Sequence, residues 1–74
     1  MRISYNGLWK LLIDNNMKKY QLRDAAQISS NSMAKLGKNE QVSLEILMKI
    51  CNVLNCNLGD ICEFVKDESD EENS

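Results

Sequence analysis

Apolar residues recur at the three- and four-residue spacing of a helix in five short stretches of the chain. The first stretch, residues 5–13, follows Ser4, which is a candidate N-cap. The second stretch, residues 18–27, carries a narrow apolar face that includes Leu22. The pattern therefore predicts two short helices, separated by a polar loop.

Two serines predict where the third and fourth helices begin. Ser29 is the candidate N-cap of a helix over residues 30–36, and Gly37 suits the C-terminal end of that helix. Ser43 precedes a longer amphipathic stretch within residues 43–55. The intervening residues, which are mostly polar, are predicted to form a loop.

A fifth, short helix is indicated after a polar break, before an acidic end. Its apolar positions are Leu58, Ile61, Cys62 and Val65. With no proline and no β-branched run, the chain favours an all-α class: a compact five-helix domain over residues 1–66. The candidate core residues are Leu8, Trp9, Leu12, Leu22, Ala26, Met33, Leu36, Leu44, Leu47, Cys51, Leu54 and Ile61. Residues 67–74 contain no apolar side chain and are predicted to be a disordered acidic tail.

Charge is distributed unevenly along the 74 residues. Residues 1–49 hold eight Lys or Arg and four acids, a balance of +4, whereas residues 50–74 hold one Lys and seven acids, a balance of −6. Although the net charge of the chain is −2, potentials act over about 8–10 Å in physiological salt. The basic body can therefore attract an anion.

Composition disfavours several classes of function. There is no His and no Gly-rich phosphate loop, so no catalytic constellation is apparent, and neither a cofactor nor a small-molecule ligand is indicated. The three cysteines are too few for a four-ligand zinc site, so we expect free thiols, with redox sensing as the lesser alternative. No apolar run could span a membrane and the N-terminus lacks a secretory apolar region, which favours a reducing cytoplasm.

The second and third predicted helices, joined by a short turn, have the helix-turn-helix pattern. If Met33 and Leu36 pack inward, the outer face of the third helix carries Ser30, Asn31, Ser32 and Lys35. Asn can pair bidentately with adenine, Ser can reach bases or phosphate, and Lys can reach guanine or phosphate. The alternative is that residues 29–32 only cap the helix and face solvent.

The chain also resembles the phage repressor/Cro-like (XRE) helix-turn-helix family over nearly all of residues 4–65. In that family the pattern runs Leu-Ala, Gly-Val-Ser, Ile, then Gly-Lys and a helix with Leu-x-x-Ile-x-x-x-Leu. The corresponding residues here are Leu22-Arg23, Gln27-Ile28-Ser29, Met33, Leu36-Gly37-Lys38-Asn39, and Leu47, Ile50 and Leu54. Gln27 replaces the turn Gly that often has positive φ, which should cost about 1 kcal/mol. Lys19 replaces a family Gln, and Arg23 replaces a small residue.

The resemblance implies binding to double-stranded DNA, with the third helix as the recognition helix. Ser30, Asn31, Ser32 and Lys35 would read bases. Lys19, Ser29, Lys38 and Asn39 would hold phosphate. A single domain makes few phosphate contacts, so a homodimer on two half-sites is expected. Such a protein is expected to act as a transcriptional repressor by occupying its operator.

The rival hypothesis is a helical protein-interaction module, such as an antitoxin-like or adaptor domain, that keeps this fold without reading DNA. The acidic residues 67–74 keep that hypothesis open. They can be a plain solubilising tail, or a mobile polyanion that competes with DNA for the basic face.

Overall fold

Five helices and two short strands follow one another along residues 1–66, the residues that the computed structural model describes. In chain order they are β1 (Arg2–Ser4), α1 (Asn6–Asp14), α2 (Lys19–Ala26), α3 (Ser30–Gly37), α4 (Leu44–Leu54), α5 (Leu58–Ile61) and β2 (Glu63–Val65). The predicted all-α, five-helix class is confirmed. The acidic tail and the domain boundary before it concern residues 67–74, which lie outside the described residues.

The serine caps predicted for the third and fourth helices are present. Ser29 Oγ accepts a hydrogen bond from the Ser32 N–H at 3.1 Å, and Ser43 Oγ accepts one from the Ile46 N–H at 3.3 Å. Each cap satisfies one of the free N–H groups of a first helical turn. The starts of α3 and α4 are therefore set by local sequence.

The first helix begins one residue later than its predicted cap implied. Tyr5 occupies the N-cap position without a capping side chain, and the buried Ser4 Oγ accepts only a long hydrogen bond, 3.4 Å, from the Asn6 N–H. Ser4 is held instead by β1, where it pairs with Glu63 of β2. Strand pairing thus replaces the expected cap.

The two-stranded antiparallel sheet was missed by sequence reasoning, and it shortens the last predicted helix. β1 and β2 pair with Ile3 opposite Phe64, and α5 ends at Ile61. Cys62 and Val65, predicted to be helical, therefore lie in extended backbone. Three-residue strands give too few alternations for a period of two to be recognised.

The core lies where the helices converge: α2 packs on α3 and α4, while α5 packs on α1 and α4. Its buried apolar residues are Tyr5, Leu8, Leu12, Leu22, Ala26, Leu36, Leu47, Ile50 and Ile61. Trp9, Met33, Cys51 and Leu54, predicted for the core, pack against it half-buried. Leu44, also predicted for the core, is 68% exposed, because it lines open grooves beside α5 and the sheet instead of packing into the core.

Candidate nucleic-acid interface

The turn between α2 and α3 is built from hydrogen bonds at both helix ends. α2 starts where the Lys18 N–H donates to Gln21 Oε1 at 2.8 Å. It ends at Gln27, whose φ of 56° and ψ of 45° are left-handed, and the next N–H, of Ile28, donates to Arg23 O at 3.1 Å. This closed C-terminal turn leads directly into the Ser29 cap of α3, so the two helices form a helix-turn-helix.

The outer face of α3 presents two side chains that have no other role in the fold. Asn31 and Lys35 are exposed, lie one helical turn apart, and make no side-chain hydrogen bond or ion pair within residues 1–66. An exposed amide and ammonium on a helix face can both reach base edges in a major groove. These two residues thus form the centre of the predicted reading face.

The serines of α3 are more occupied than the sequence suggested. The Ser29 hydroxyl donates to Ser32 Oγ at 3.0 Å while Ser29 Oγ caps the helix, and Ser32 is half-buried. Ser30 is exposed, and its Oγ accepts a hydrogen bond from Arg23 Nη1 at 3.2 Å. The capping alternative therefore accounts for the contacts of Ser29 and Ser32, but for neither Asn31 nor Lys35.

Arg23 is a positioning residue that sequence reasoning did not include in the site. Its half-buried guanidinium donates to Asp24 Oδ1 at 3.1 Å through Nε and to Ser30 Oγ through Nη1. The side chain thereby ties the last turn of α2 to the first residue of α3. The signal was present in the sequence, where an Arg stands at the position for which the resemblance gives a small residue.

The residues predicted to hold phosphate flank α3 on two sides. Lys19 is exposed at the start of α2, with Nζ 4.5 Å from the centroid of the Trp9 ring, a cation–π contact that orients the ammonium. Lys38 is the exposed C-cap of α3. Asn39, which has φ of 57°, accepts a 3.3 Å hydrogen bond from the Tyr5 N–H through Oδ1. Only its amide N–H groups are then suited to a phosphate oxygen.

Comparison with known proteins identifies this arrangement. The family model for the Cro/C1-type HTH DNA-binding domain matches residues 7–67. The chain belongs to the Cro/C1-type helix-turn-helix DNA-binding family. The predicted resemblance is therefore confirmed, and the family is one of DNA-binding domains.

A solved structure has the same fold as this Cro/C1-type domain. The crystal structure of the transcriptional regulator VanUg, form II, superposes with a TM-score of 0.86 at 57% identity, covering 89% of this chain and 88% of that chain. No curated protein matches significantly.

The helix-turn-helix of this Cro/C1-type domain also encloses a shallow groove of about 370 Å³ between α2 and α3. Among its lining residues are Lys19, Tyr20, Arg23, Ser30, Met33 and Ala34. Tyr20 is 53% exposed, so its phenol can contact a ligand that covers the groove. Five cations and one acid lie within residues 18–39, and two of these cations, Lys19 and Arg23, line the groove.

The cysteines of this Cro/C1-type domain lie away from the helix-turn-helix, at α4 and α5. Cys51, Cys56 and Cys62 are free, half-buried thiols. Burial, followed by the neighbouring Cys56, raises the pKa of Cys51 to about 11, which favours the protonated thiol. Within residues 1–66, no cluster of three or more His, Cys, Asp or Glu could hold a metal ion, and no helix is long and apolar enough to cross a membrane.

Proposed function

We propose that this protein is a transcriptional regulator that represses by occupying an operator, with α3 in the major groove of double-stranded DNA. Ser30, Asn31, Ser32 and Lys35 read base edges in this proposal. Phosphates are held by Lys19, Ser29, Lys38 and Asn39. The observation that carries the proposal is the pair of exposed side chains without partners, Asn31 and Lys35, on the outer face of the second helix of a helix-turn-helix.

Several features support the proposal beyond that pair. The likeness to VanUg, which is called a transcriptional regulator, supports a regulatory role. The five cations within residues 18–39 supply the sequence-independent attraction to phosphate. Three free thiols suit a reducing cytoplasm. Because one such domain makes few phosphate contacts, we infer that the protein binds two half-sites as a homodimer.

Selection of bound sites from random duplexes, using the full 74-residue chain, tests the proposal. The expected result is enrichment of one motif, made of two half-sites whose centres lie about one helical turn apart. If no motif is enriched above the starting pool, sequence-specific reading is refuted, and the interaction-module alternative becomes the better account.

Phosphate contact is tested separately by salt dependence. Lys19→Ala and Lys38→Ala should each weaken binding to all duplexes about equally, and each should reduce the slope of log affinity against log salt by about 0.9. Lys10→Ala is the matched control, because Lys10 is an exposed lysine of α1 outside the helix-turn-helix. Slopes that change as little for Lys19→Ala and Lys38→Ala as for Lys10→Ala would contradict the phosphate assignment.

A further inference from the structure

Two of the three cysteines are brought together by the turn that ends α4. Asn55, which follows the last residue of α4, has left-handed backbone, with φ of 53° and ψ of 54°. The chain therefore folds back over the end of the helix, and the Cys56 N–H donates a hydrogen bond to Cys51 O at 3.0 Å. In a turn of this kind the side chains of the two bonded residues commonly contact each other. Cys51 and Cys56 are thus neighbours in space.

The same hydrogen bond limits the distance between the two Cα atoms. They are connected through the Cα–C and C=O bonds of Cys51, the 3.0 Å hydrogen bond and the N–Cα bond of Cys56. Their separation is therefore at most roughly 7 Å. Disulfide bonds usually join cysteines whose Cα atoms lie about 4.4–6.8 Å apart. The turn therefore holds Cys51 and Cys56 within about the distance that a disulfide bond spans.

Both cysteine side chains line one open groove of about 540 Å³, which lies beside α4 and the start of α5. Cys62 instead lines two different grooves, and its Sγ donates to Leu58 O at 3.6 Å within α5. All three thiols are half-buried. A small oxidant that enters the first groove therefore meets Cys51 and Cys56 together.

The protonation of Cys51 agrees with a close pair of thiols. Burial raises the pKa of Cys51 to about 11, and Cys56 adds to the rise through its charge and a hydrogen bond, ahead of Cys62. Cys51 is therefore a neutral thiol at neutral pH, and the reduced protein gains no stabilisation from a Cys51 thiolate. Because a stabilised reduced form is what makes a dithiol resist oxidation, this pair lacks one obstacle to forming a disulfide.

We propose that Cys51 and Cys56 are a modification site, at which a low-molecular-weight disulfide such as oxidised glutathione converts the two thiols into a reversible intramolecular disulfide. The inference goes beyond DNA binding and does not depend on it. The bond closes the turn between α4 and α5 covalently, and α4 is the helix on which α2 of the helix-turn-helix packs. Cys62 stays a free thiol.

The reaction proceeds in two exchange steps. Cys51 keeps its proton, so Cys56 is the first to react: its thiolate attacks one sulfur of glutathione disulfide and breaks the S–S bond. The first glutathione leaves and takes up the proton that Cys56 lost. Cys51 Sγ then attacks Cys56 Sγ, and the second glutathione leaves with the proton of Cys51. Two protein thiols are oxidised to one disulfide, and one glutathione disulfide is reduced to two thiols.

The sequence alone does not select this pair, which gives the test an internal control. Four residues separate Cys51 from Cys56, and five separate Cys56 from Cys62. Closing the two loops therefore costs an unfolded chain nearly the same entropy. Only the folded structure favours one pair over the other.

Oxidation of the full chain with glutathione disulfide, followed by alkylation and mass spectrometry, tests the proposal. The tryptic peptide of residues 50–66 carries all three cysteines, so the position of its single alkyl group identifies the free thiol. In the folded chain the alkyl group should lie on Cys62 at least about 10-fold more often than on Cys51. In concentrated guanidinium chloride the two positions should be alkylated within about 2-fold of each other.

Two alanine variants follow the two exchange steps. Cys62→Ala should form the disulfide at a glutathione ratio within about 2-fold of the parent's. Cys51→Ala should accumulate glutathione bound to Cys56, because the thiol that displaces it is absent. The proposal is overturned if the folded parent keeps three alkylated thiols, retains bound glutathione, or pairs its cysteines as the denatured chain does. This comparison uses the parent alone, so it decides the question even where a variant fails to fold.

Discussion

Replacing Gln27 by Gly should stabilise the domain, although it removes a whole side chain. Gln27 ends α2 with φ of 56° and ψ of 45°, a conformation that glycine adopts without the steric conflict of a Cβ. The side chain is exposed and makes no hydrogen bond within residues 1–66, so little contact is lost. The backbone conformation itself decides the sign of the effect.

The expected magnitude is a balance of two effects. Left-handed backbone costs an ordinary residue about 1–2 kcal/mol, and Gly relieves this cost. Gly also gives the unfolded chain more freedom, which offsets about 0.4–1 kcal/mol of the gain. The net increase in unfolding free energy should be about 0.5–1 kcal/mol. For a domain of this size that corresponds to a rise in melting temperature of about 2–8 °C.

Thermal unfolding followed by circular dichroism measures the effect, and Asn55→Gly is the matched control. Asn55 ends α4 with φ of 53° and ψ of 54°, in the same kind of turn, but Asn enters the left-handed region readily. Its replacement by Gly should therefore change the melting temperature little or lower it. If Gln27→Gly melts no higher than the parent, or if both variants shift equally, the strain assigned to Gln27 is not present.

Two further predictions concern the packing of α1. An added Cβ at Gly7 would overlap the backbone carbonyl oxygen of Asp60, so Gly7→Ala should lower the unfolding free energy by about 1–3 kcal/mol in thermal unfolding. Gly59→Ala is the control: the space around Gly59 is open, so this variant should be neutral or stabilising in the same measurement. Tyr5→Phe removes a 2.7 Å hydrogen bond from the buried phenol to Glu40 O, and urea unfolding should show a loss of about 1 kcal/mol. Burial raises the pKa of Tyr5 in the folded state, so the neutral phenol stabilises the folded parent at any pH below the unfolded pKa of about 10. The parent should lose this part of its unfolding free energy as pH rises through the folded pKa of Tyr5. Tyr5→Phe has no phenol to ionise, so its unfolding free energy should lack this contribution to the decrease at alkaline pH.

The elements that local chemistry determines could be predicted from the sequence, and those that depend on distant contacts could not. Ser29 and Ser43 cap the helices they precede, so the starts of α3 and α4 followed from four-residue patterns. The pairing of Ile3 with Phe64 joins residues from opposite ends of the domain, and no local pattern encodes it. Leu44 belongs to the apolar stripe of α4, but whether a partner covers the first turn of a helix is decided by the rest of the fold.

The same distinction holds within the candidate interface. The exposed positions of Asn31 and Lys35 followed from helical periodicity once α3 was placed. The contact of Arg23 with Ser30 depends on the angle between α2 and α3, which the sequence pattern does not define. Tyr20 gave no signal either, since one exposed aromatic residue on a helix is common.

Binding of Asn31→Ala to the selected duplex tests the central claim, that the outer face of α3 reads bases, most directly. Affinity for that duplex should fall by about 1–3 kcal/mol, with relaxed preference at one base pair, while affinity for random duplexes and the circular dichroism spectrum stay those of the parent. Asn6→Ala is the matched control, because Asn6 is an exposed Asn at the start of α1, and it should bind like the parent. If Asn31→Ala binds the selected duplex as tightly as Asn6→Ala, α3 is not the recognition helix.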